Sequence, residues 1–461
     1  MSNKKIVIIG SGPGGYVAAI RASQLGADVI VIEKDKIGGT CLNYGCIPTK
    51  SLLASAELFS SIRKAKEFGI SIGELSIDLS GIMERKNRVV QGLGSGFNRI
   101  FKKSGVRFIN GTANLISPKR VRVKLPSATE EIEASSIVIA TGSQPASLPF
   151  VDLGQPTVLT SADALKLKRL PNSVLITGGG AIGLEFACFF NALGVQVTLV
   201  EVMDQILPNG DKRIARQMAQ ILKKRGVKIL VKTGVKKVLS YKSEEITCLL
   251  GNGEKLTTEK LLISVGRKPN SQGIGLENIG VKVDEKENIS VDENMETNIK
   301  GIYAIGDVIG GMLLAHVASA EGILAVENAM GIKKKIDYSL IPSCVYTFPE
   351  IAGVGQTADQ ASASGREVKT GWFPFSASGK ASAMGQTVGS VQLVVDKGTE
   401  KILGGRIIGP HATELIHEVV LAMKSGMTAK ELGATTHAHP TLSEGVMEAA
   451  LSVYKEAIHV L

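Results

Sequence analysis

Two stretches of the chain repeat one pattern at a fixed distance, and this repeat constrains the fold more than any other feature. Each stretch opens with a short apolar run, continues with the motif G-x-G-x-x-G and a helix-like segment that a glycine ends, and closes on a glutamate. The two copies, residues 6–33 and 174–201, are offset by 168 residues at every matched position. Apolar runs that alternate with helical segments predict parallel strands flanked by helices. We therefore expect an α/β chain with two similar units.

The spacing of the glycines indicates what the two units bind. In the dinucleotide fingerprint the first glycine permits a tight turn, the second lets a pyrophosphate approach the backbone, and the third lets helix and strand pack closely. The pyrophosphate then rests at the positive end of the helix. A glycine-rich turn that binds nothing could explain one copy, but two matched copies predict two bound dinucleotides. The glycines are Gly10, Gly12 and Gly15 in the first copy and Gly178, Gly180 and Gly183 in the second.

An acidic residue stands 23 residues after the first glycine of each copy, as Glu33 and as Glu201. In this fingerprint the acid accepts hydrogen bonds from the adenosine ribose. A carboxylate at Glu201 would repel a 2′-phosphate, and the next residues, Val202 and Met203, supply no arginine to receive one. The second unit is therefore expected to prefer NAD to NADP.

Two cysteines, Cys41 and Cys46, follow the first unit in the stretch GGTCLNYGCIPTK. Their spacing is too wide for a C-x-x-C zinc pair, and no second pair of ligands follows. They can close a small disulfide ring if the backbone bends at Gly45, and in a reducing compartment such a disulfide persists only if it is redox-active. Two unrelated buried thiols are the alternative, which their place beside a dinucleotide unit disfavours. The remaining cysteines, Cys188, Cys248 and Cys344, lie in apolar segments and are expected to pack in the core.

The stretch HAHPTLSE at residues 437–444 is typical of a helix start, with a proline near the first turn and a capping box from Thr441 to Glu444. This interpretation explains the glutamate but leaves His437 and His439 without a role.

Composition excludes several classes of protein. The formal net charge is +10, but the basic runs are short and scattered and the chain has one tryptophan and seven tyrosines, so we expect no nucleic-acid partner. No apolar stretch approaches the about 18 residues of a membrane span, so membrane insertion is not expected. Five cysteines in 461 residues are not a secreted disulfide framework. The first residues resemble neither a signal nor a transit peptide. We expect a cytoplasmic protein without a metal site.

The cysteine stretch resembles the active-site signature of the flavin-dependent pyridine nucleotide–disulfide oxidoreductases, in particular of their branch that oxidises dihydrolipoamide. The resemblance runs the whole length, because the family's motifs follow in family order. They are the first glycine unit, ATGS at 140–143, the second glycine unit, GRKPN at 266–270, YAIGD at 303–307 and HAHPTLSE at 437–444. The resemblance implies FAD in the first unit, NAD in the second, and a homodimer. Implied partners are the lipoyl-bearing carrier domains and acyltransferase core of a 2-oxo acid dehydrogenase complex, or a glycine cleavage carrier protein.

The same resemblance implies roles for individual residues. Cys41 would exchange with the substrate and Cys46 would lie nearer the flavin. His439 would be the acid–base catalyst, oriented by Glu444, and would reach the disulfide of the other subunit. His437 matches a family position whose role stays open. The residues that match family positions around the cofactors are Glu33, Lys50 with its expected partner Glu185, Ala113, Asp307 and Ala315 for FAD, and Glu201 and Gly266 in the motifs of the NAD side.

The expected architecture is two Rossmann-like dinucleotide-binding domains and a C-terminal α+β dimerisation domain. The FAD-binding domain would span 1–143, the NAD-binding domain 144–269, a segment completing the FAD side 270–337, and the dimerisation domain 338–461. Glutathione and mercuric reductases are alternatives, but the former read NADPH through arginines that are missing after Glu201. The latter carry a C-terminal cysteine pair, whereas residues 457–461 read AIHVL. A non-catalytic nucleotide sensor would not need Cys41, Cys46 and His439 together.

Overall fold

The computed structural model describes residues 4–460. The first unit forms a five-stranded parallel sheet in the spatial order β18-β7-β1-β2-β3. Its strands are rich in isoleucine and valine and are buried, as expected of a parallel sheet covered on both faces. They are β1 (Lys5–Ile9), β2 (Asp28–Glu33), β3 (Arg107–Asn110), β7 (Ser136–Ile139) and β18 (Ile302–Ala304).

The second unit forms a second five-stranded parallel sheet, in the order β12-β11-β10-β16-β9. In both sheets the strand that leads into the glycine motif is central and has the strand that ends on the glutamate beside it. The strands are β9 (Val158–Leu159), β10 (Ser173–Thr177), β11 (Gln196–Glu201), β12 (Lys228–Val231) and β16 (Lys260–Ile263).

Three small antiparallel sheets accompany the two units. One belongs to the first unit and contains β4 (Thr112–Ser117), β5 (Arg120–Lys124) and β6 (Thr129–Glu133). Another belongs to the second unit and contains β13 (Val235–Tyr241), β14 (Ile246–Leu250) and β15 (Lys255–Thr258). The third pairs β8 (Ser143–Pro145) with β17 (Arg267–Pro269), so the strand leaving the first unit lies beside the strand returning to it.

Helices cover both parallel sheets. Helix α3 packs on α6 of the second unit, and Leu52 and Ala56 share one apolar cluster with Leu184 and Ala187. This packing brings the residues after the first glycine unit next to the second one. The helices are α1 (Pro13–Gln24), α2 (Gly39–Tyr44), α3 (Cys46–Ile62), α4 (Leu79–Lys103), α5 (Ser161–Ala164), α6 (Ala181–Ala192), α7 (Lys212–Lys224), α8 (Leu276–Ile279) and α9 (Ala315–Ala329).

The C-terminal part is an antiparallel sheet in the order β19-β20-β23-β22-β21 with helices packed against it. Its strands are β19 (Ser343–Val345), β20 (Glu350–Gly355), β21 (Val368–Pro374), β22 (Ser390–Asp396) and β23 (Ile402–Gly409). Its helices are α10 (Ala358–Ala363), α11 (Gly379–Ala383), α12 (Ala412–Lys424), α13 (Ala429–Ala434) and α14 (Glu444–Ser452).

The predicted fold class is confirmed: two parallel α/β units are followed by an α+β part. Strand β18 lies in the segment 270–337 and completes the first sheet. The domain boundaries given above remain predictions. Among the helices of residues 4–460, none is long and apolar enough to cross a membrane.

Candidate active site

The first glycines of the two motifs have the same backbone geometry. Gly10 and Gly178 have φ angles of +103° and +104°, which other residues rarely adopt. A Cβ atom on Gly10 would lie 2.3 Å from the carbonyl oxygen of Ala140, and one on Gly178 would lie 2.2 Å from that of Ser264. Both turns therefore require glycine, for the backbone angle and for the approach to the neighbouring strand.

The other glycines of the motifs divide into packed and open positions. A Cβ on Gly15 or Gly183 would lie 2.0 Å from the carbonyl oxygen of the first glycine of its own motif. Around Gly12 and Gly180, by contrast, no atom of the described chain lies within 4 Å of such a Cβ. Helices α1 and α6 begin directly after these open glycines, and no side chain of residues 4–460 caps them. The free N–H groups of their first turns, which in α1 are those after Pro13, can therefore receive a pyrophosphate, so the residues present fit a dinucleotide in each unit.

The two glutamates bind the turns of their own motifs. Glu33 accepts hydrogen bonds from the backbone N–H and hydroxyl of Ser11, at 2.8 and 2.9 Å, and from the N–H of Asp35 at 3.0 Å. Glu201 likewise accepts from the N–H of Gly179 at 2.7 Å and of Met203 at 2.9 Å. Each carboxylate therefore fixes the loop around it, a role that the sequence did not indicate. Oε1 of Glu33 and both oxygens of Glu201 keep lone-pair capacity for a ribose hydroxyl.

Asp307 lies where the first sheet meets the strand pair β8–β17. Its Oδ2 accepts a hydrogen bond from the Ser143 hydroxyl and lies 3.4 Å from Nε of Arg267. Arg267 in turn donates to the hydroxyl and carbonyl oxygens of Ser143, at 2.6 and 2.7 Å. These contacts orient the carboxylate and leave Oδ1 for a ligand.

The remaining positions predicted to contact cofactors lie near the same turns. Ala113 is in strand β4, two residues after Gly111, whose N–H donates to the carbonyl oxygen of Glu33 at 2.8 Å. Ala315 begins helix α9, which no side chain of the described residues caps. Gly266, with φ of +115°, follows strand β16 at the return to β17. Ala113 and Ala315 thus lie in the first unit, and Gly266 lies where the chain leaves the second unit.

Cys41 and Cys46 are neighbouring thiols at the junction of helices α2 and α3. Gly45 separates the helices, and a Cβ there would lie 3.2 Å from the carbonyl oxygen of Thr40. The Cys41 thiol donates a hydrogen bond to Cys46, which raises the pKa of Cys41 and lowers that of Cys46. Burial raises the pKa of Cys46, but the hydrogen bond and the charge of Lys50 outweigh it. The Cys46 thiol is therefore the more acidic of the two, and it lies at a helix N-terminus, which favours negative charge.

Lys50 joins the cysteine pair to the second unit. It lies one helical turn after Cys46, so both side chains share a face of α3. Its Nζ lies 2.9 and 2.8 Å from the two carboxylate oxygens of Glu185 in helix α6, whose side chain is 6% exposed. Tyr346 completes the group: its N–H donates to Glu185 at 3.1 Å, and its ring centroid lies 4.4 Å from Nζ of Lys50. The predicted pairing of Lys50 with Glu185 is thus present in the structure.

His439 and Glu444 form a hydrogen-bonded pair at the start of helix α14. Nδ1 of His439 lies 2.8 Å from Oε1 of Glu444, and the N–H of Thr441 donates to Oε2 at 2.7 Å. Burial raises the pKa of Glu444, but the hydrogen bonds from Thr441 and His439 outweigh it and lower the pKa. The His439 side chain is 76% exposed, so Nε2 faces outward. The predicted capping box is half present, because the Thr441 hydroxyl donates to the carbonyl oxygen of Ala438 instead.

His437 has a different environment from His439. Its Nε2 lies 2.5 Å from Oε1 of Glu418 in helix α12, and its Nδ1 lies 2.7 Å from the carbonyl oxygen of Thr435. The buried ring therefore ties the loop before α14 to α12.

A cleft of about 1090 Å³ separates the second unit from the C-terminal part. Gly180 and Leu207 line one wall, and Tyr338, Gly355 and Arg406 line the other. The open glycine of the second motif therefore faces a cavity large enough for part of a dinucleotide.

Known proteins share both parts of this architecture. Residues 4–322 match the family described as pyridine nucleotide-disulphide oxidoreductase, and residues 341–450 match the dimerisation domain of that family. The chain belongs to the pyridine nucleotide–disulphide oxidoreductases. It is 44% identical to the dihydrolipoyl dehydrogenase of Bacillus subtilis, over 98% of each chain, and 43% identical to that of Thermus scotoductus, over the whole of both. The crystal structure of LpdA from Mycobacterium tuberculosis is 29% identical, with a TM-score of 0.91 over 97% of this chain and 99% of that one.

Membership of the pyridine nucleotide–disulphide oxidoreductases confirms the predicted family and the two cofactors, FAD and NAD. The geometry fits both, since each unit has an open glycine, an uncapped helix start and a buried acid. His439 and Glu444 lie within the matched dimerisation domain.

Some contacts of the site were not predicted from the sequence. Tyr346 contacts Glu185 across 161 positions. Ser143 and Arg267 lie in the motifs ATGS and GRKPN, but their contacts with Asp307 were not predicted. A second pair, His459 with Glu448 at 2.7 Å, lies one helical turn along α14 from Glu444. The expectation for Cys344 was wrong in part: Cys188 and Cys248 are buried, but Cys344 is half-buried near Glu350 and Glu414.

Cofactor choice can be tested at Glu201. Replacing Glu201 with glutamine and Met203 with arginine should raise the use of NADP⁺ at least about tenfold, because a repelling charge is removed and a phosphate-binding one is added. Glutamine keeps one acceptor oxygen, for one of the two loop N–H groups that Glu201 binds. The measurement is kcat/KM for NAD⁺ and NADP⁺, with the single Met203→Arg variant as the control. Equal use of both cofactors by the wild type would contradict this interpretation of Glu201.

Proposed function

We propose that this chain is an NAD⁺-dependent oxidoreductase that reoxidises protein-bound dihydrolipoyl groups through a Cys41–Cys46 disulfide and FAD. The observation that carries the proposal is the position of the cysteine pair. Cys46 begins helix α3, and one turn further Lys50 is ion-paired with Glu185 of the second unit. The cysteine pair therefore lies between a unit that fits FAD and a unit that fits NAD. Full-length relatives that are dihydrolipoyl dehydrogenases support the same substrate class over the glutathione and mercuric reductases.

The first step is removal of a proton from one substrate thiol. The partner subunit's His439 takes this proton, and Glu444 holds its other ring nitrogen so that Nε2 is the basic atom. The thiolate attacks Cys41 in the disulfide, a mixed disulfide forms, and Cys46 leaves as a thiolate.

In the second step the other substrate thiol closes the lipoyl ring. It attacks the substrate sulfur of the mixed disulfide, and Cys41 leaves and takes up the proton of the attacking thiol. The products are a cyclic lipoyl disulfide, a Cys41 thiol and a Cys46 thiolate. The hydrogen bond from Cys41 to Cys46 supports this assignment, because it stabilises that pair of protonation states. Cys41 is thus the exchange sulfur and Cys46 the electron-donating one.

The chain's own residues would hold the cofactors. Gly12, Glu33, Ala113, Asp307 and Ala315 would bind FAD, and Gly180 and Glu201 would bind NAD beside the Gly266 turn. When bound, these cofactors supply the two-electron and hydride chemistry that protein side chains lack. Lys50 places a positive charge beside the Cys46 thiolate, and Glu185 fixes the direction of that charge.

We infer that the working form is a homodimer. The exposed Nε2 of His439 and its place in the dimerisation domain support a site shared between two chains. The partners would be lipoyl-bearing carrier domains and the acyltransferase core of a 2-oxo acid dehydrogenase complex, or a glycine cleavage carrier protein. We place the activity in the cytoplasm, where a disulfide survives only in redox exchange.

A steady-state comparison tests the proposed function. The purified holoenzyme should reduce NAD⁺ with dihydrolipoamide at least about 10³ times more efficiently, as kcat/KM, than it reduces oxidised glutathione with NADPH. The ratio follows from the missing arginines after Glu201 and from the substrate class of the relatives. Preference for glutathione and NADPH would overturn the proposed function, and no turnover with either pair would indicate a non-catalytic role.

A further inference from the structure

Glu321 is a buried carboxylate in helix α9 that the reaction above does not use. Its residue is 3% exposed, and both of its oxygens are bound. Oε2 accepts a hydrogen bond from the N–H of Gly306 at 2.7 Å, and Oε1 accepts one from the hydroxyl of Tyr338 at 2.7 Å. A buried carboxylate is costly to retain unless its partners compensate for lost hydration. Here the partners come from two different parts of the chain.

The first partner belongs to the turn that carries Asp307. Gly306 begins a 3₁₀ helix, Gly306–Ile309, which is separated from strand β18 by Ile305 alone, and has φ of +72°. A Cβ on Gly306 would lie 3.1 Å from Cβ of Ala318, so the turn lies closely on helix α9. By accepting from the N–H of Gly306, Glu321 fixes the Ile305–Gly306 peptide, one peptide before Asp307, and so restrains the turn that directs that side chain.

The second partner belongs to the wall of the cleft. Tyr338 lies in the 3₁₀ helix Tyr338–Leu340, which precedes strand β19, and is 40% exposed. Burial and the hydrogen bond to Glu321 raise the pKa of Tyr338, so its hydroxyl remains a donor. Glu321 therefore receives a hydrogen bond from the side of the cleft that faces the second glycine motif.

We propose that Tyr338 and Glu321 are a positioning pair for FAD: the Tyr338 hydroxyl holds the Glu321 carboxylate, which holds the Gly306 amide and so orients Asp307 toward the flavin cofactor. The pair also connects the wall of the cleft that faces the second glycine motif to the turn that carries Asp307. The inference rests on the FAD-binding role of the first unit and is independent of which disulfide substrate the enzyme oxidises.

The experiment measures release of FAD from the holoenzyme, followed by flavin fluorescence in a chaotrope below the unfolding concentration. Tyr338→Phe should speed release about tenfold, because a hydrogen bond to a charged group is lost. Glu321→Ala should speed it at least as much. Glu321→Gln should restore release to within about threefold of wild type, since an amide can accept from Gly306 and donate to Tyr338. Tyr241→Phe is the control. The hydroxyl of Tyr241 accepts a hydrogen bond from the N–H of Asp152, which belongs neither to the Asp307 turn nor to the Tyr338–Glu321 pair.

Thermal unfolding followed by circular dichroism separates positioning from folding. We expect Tyr338→Phe, which leaves Oε1 of Glu321 without this partner, to unfold at a slightly lower temperature than Tyr241→Phe but to stay folded under the conditions in which it loses FAD faster. Release from Tyr338→Phe at the wild-type rate would overturn the proposal, as would failure of Glu321→Gln to improve on Glu321→Ala. If Glu321→Ala does not fold, Tyr338→Phe alone decides. These readouts do not involve dihydrolipoamide, so the proposed function can fail while this inference holds.

Discussion

Replacing His439 with glutamine should slow reduction of the disulfide by dihydrolipoamide by about 10² to 10⁴-fold, the range that general-base catalysis contributes. The base is needed because a thiol with a pKa of about 8.5 is mostly protonated near neutral pH. Exchange of hydride between NADH and the flavin should stay within about twofold of wild type, because it does not involve the base. Stopped-flow measurement of the two half-reactions checks both expectations. Equal slowing of both would mean that the substitution disturbs the whole protein.

Glu444 provides the matched control for this result. Removal of its side chain should slow the same half-reaction less than loss of His439, because Glu444 orients the base without transferring the proton. If Glu444 only stabilises the start of α14, its removal should lower the free energy of unfolding by about 1 kcal/mol and leave turnover unchanged. The contact of one oxygen with His439 and of the other with Thr441 favours effects on both turnover and stability.

Mixed dimers test whether the site is shared between subunits. His439→Gln and Cys41→Ser subunits should each be inactive alone. A mixed dimer contains one intact site, made from the unchanged cysteine of one chain and the unchanged histidine of the other, so mixing should recover up to about half of the wild-type activity per mixed dimer. If differently tagged subunits co-purify as mixed dimers without activity, His439 acts within its own chain or is not the base.

Replacement of either cysteine should abolish turnover, but the two variants should differ in their spectra. On two-electron reduction Cys46→Ser should lose the long-wavelength absorbance of a thiolate beside the flavin, whereas Cys41→Ser should keep or strengthen it. The reason is that the pKa of Cys46 is lowered and that of Cys41 is raised, so Cys46 is the thiol that loses its proton first. Absorbance spectra of the reduced variants check the assignment. The reverse pattern would exchange the roles of the two sulfurs.

The same absorbance should have a defined pH dependence. Because the pKa of Cys46 is lowered by the Cys41 hydrogen bond and the Lys50 charge, the thiolate should persist as pH falls below the ordinary thiol value of about 8.5. It should disappear only as pH falls through the lowered pKa. Cys41→Ser is the control. Its serine hydroxyl can still donate a hydrogen bond to Cys46, so the lowering of the Cys46 pKa should be kept in part.

Local patterns predicted those parts of the structure that local sequence determines. At Gly10 and Gly178 the backbone turns tightly and lies close to a neighbouring strand, so only glycine fits. Both residues could be predicted from the spacing of the glycines in the motif. The identity of Lys50 and His439 as site residues did not follow from spacing and came from resemblance to the family. Alone, each has the pattern of an ordinary helix-surface or helix-start residue.

The remaining contacts join distant parts of the chain and have no periodic pattern. Glu321 lies in a helix that is buried nearly all round, where a lone glutamate gives no indication of its partners. Its contact with Tyr338 depends on how the C-terminal part packs against the first unit. The loop-binding roles of Glu33 and Glu201 were missed because one carboxylate can bind both a ligand and its own backbone.

Strand β18 belongs to the first sheet but follows the second unit in the sequence, and this determines when the first sheet can be completed during synthesis. The second sheet draws all its strands from residues 158–263, whereas the first sheet needs residues 302–304 for its edge. At about 5–20 residues per second, the ribosome adds β18 about 8 to 30 seconds after β7. During that interval the edge of β7 is unpaired, and an unpaired edge is where sheets of different molecules join. The first sheet can therefore reach its final strand order only after the inserted unit has been made.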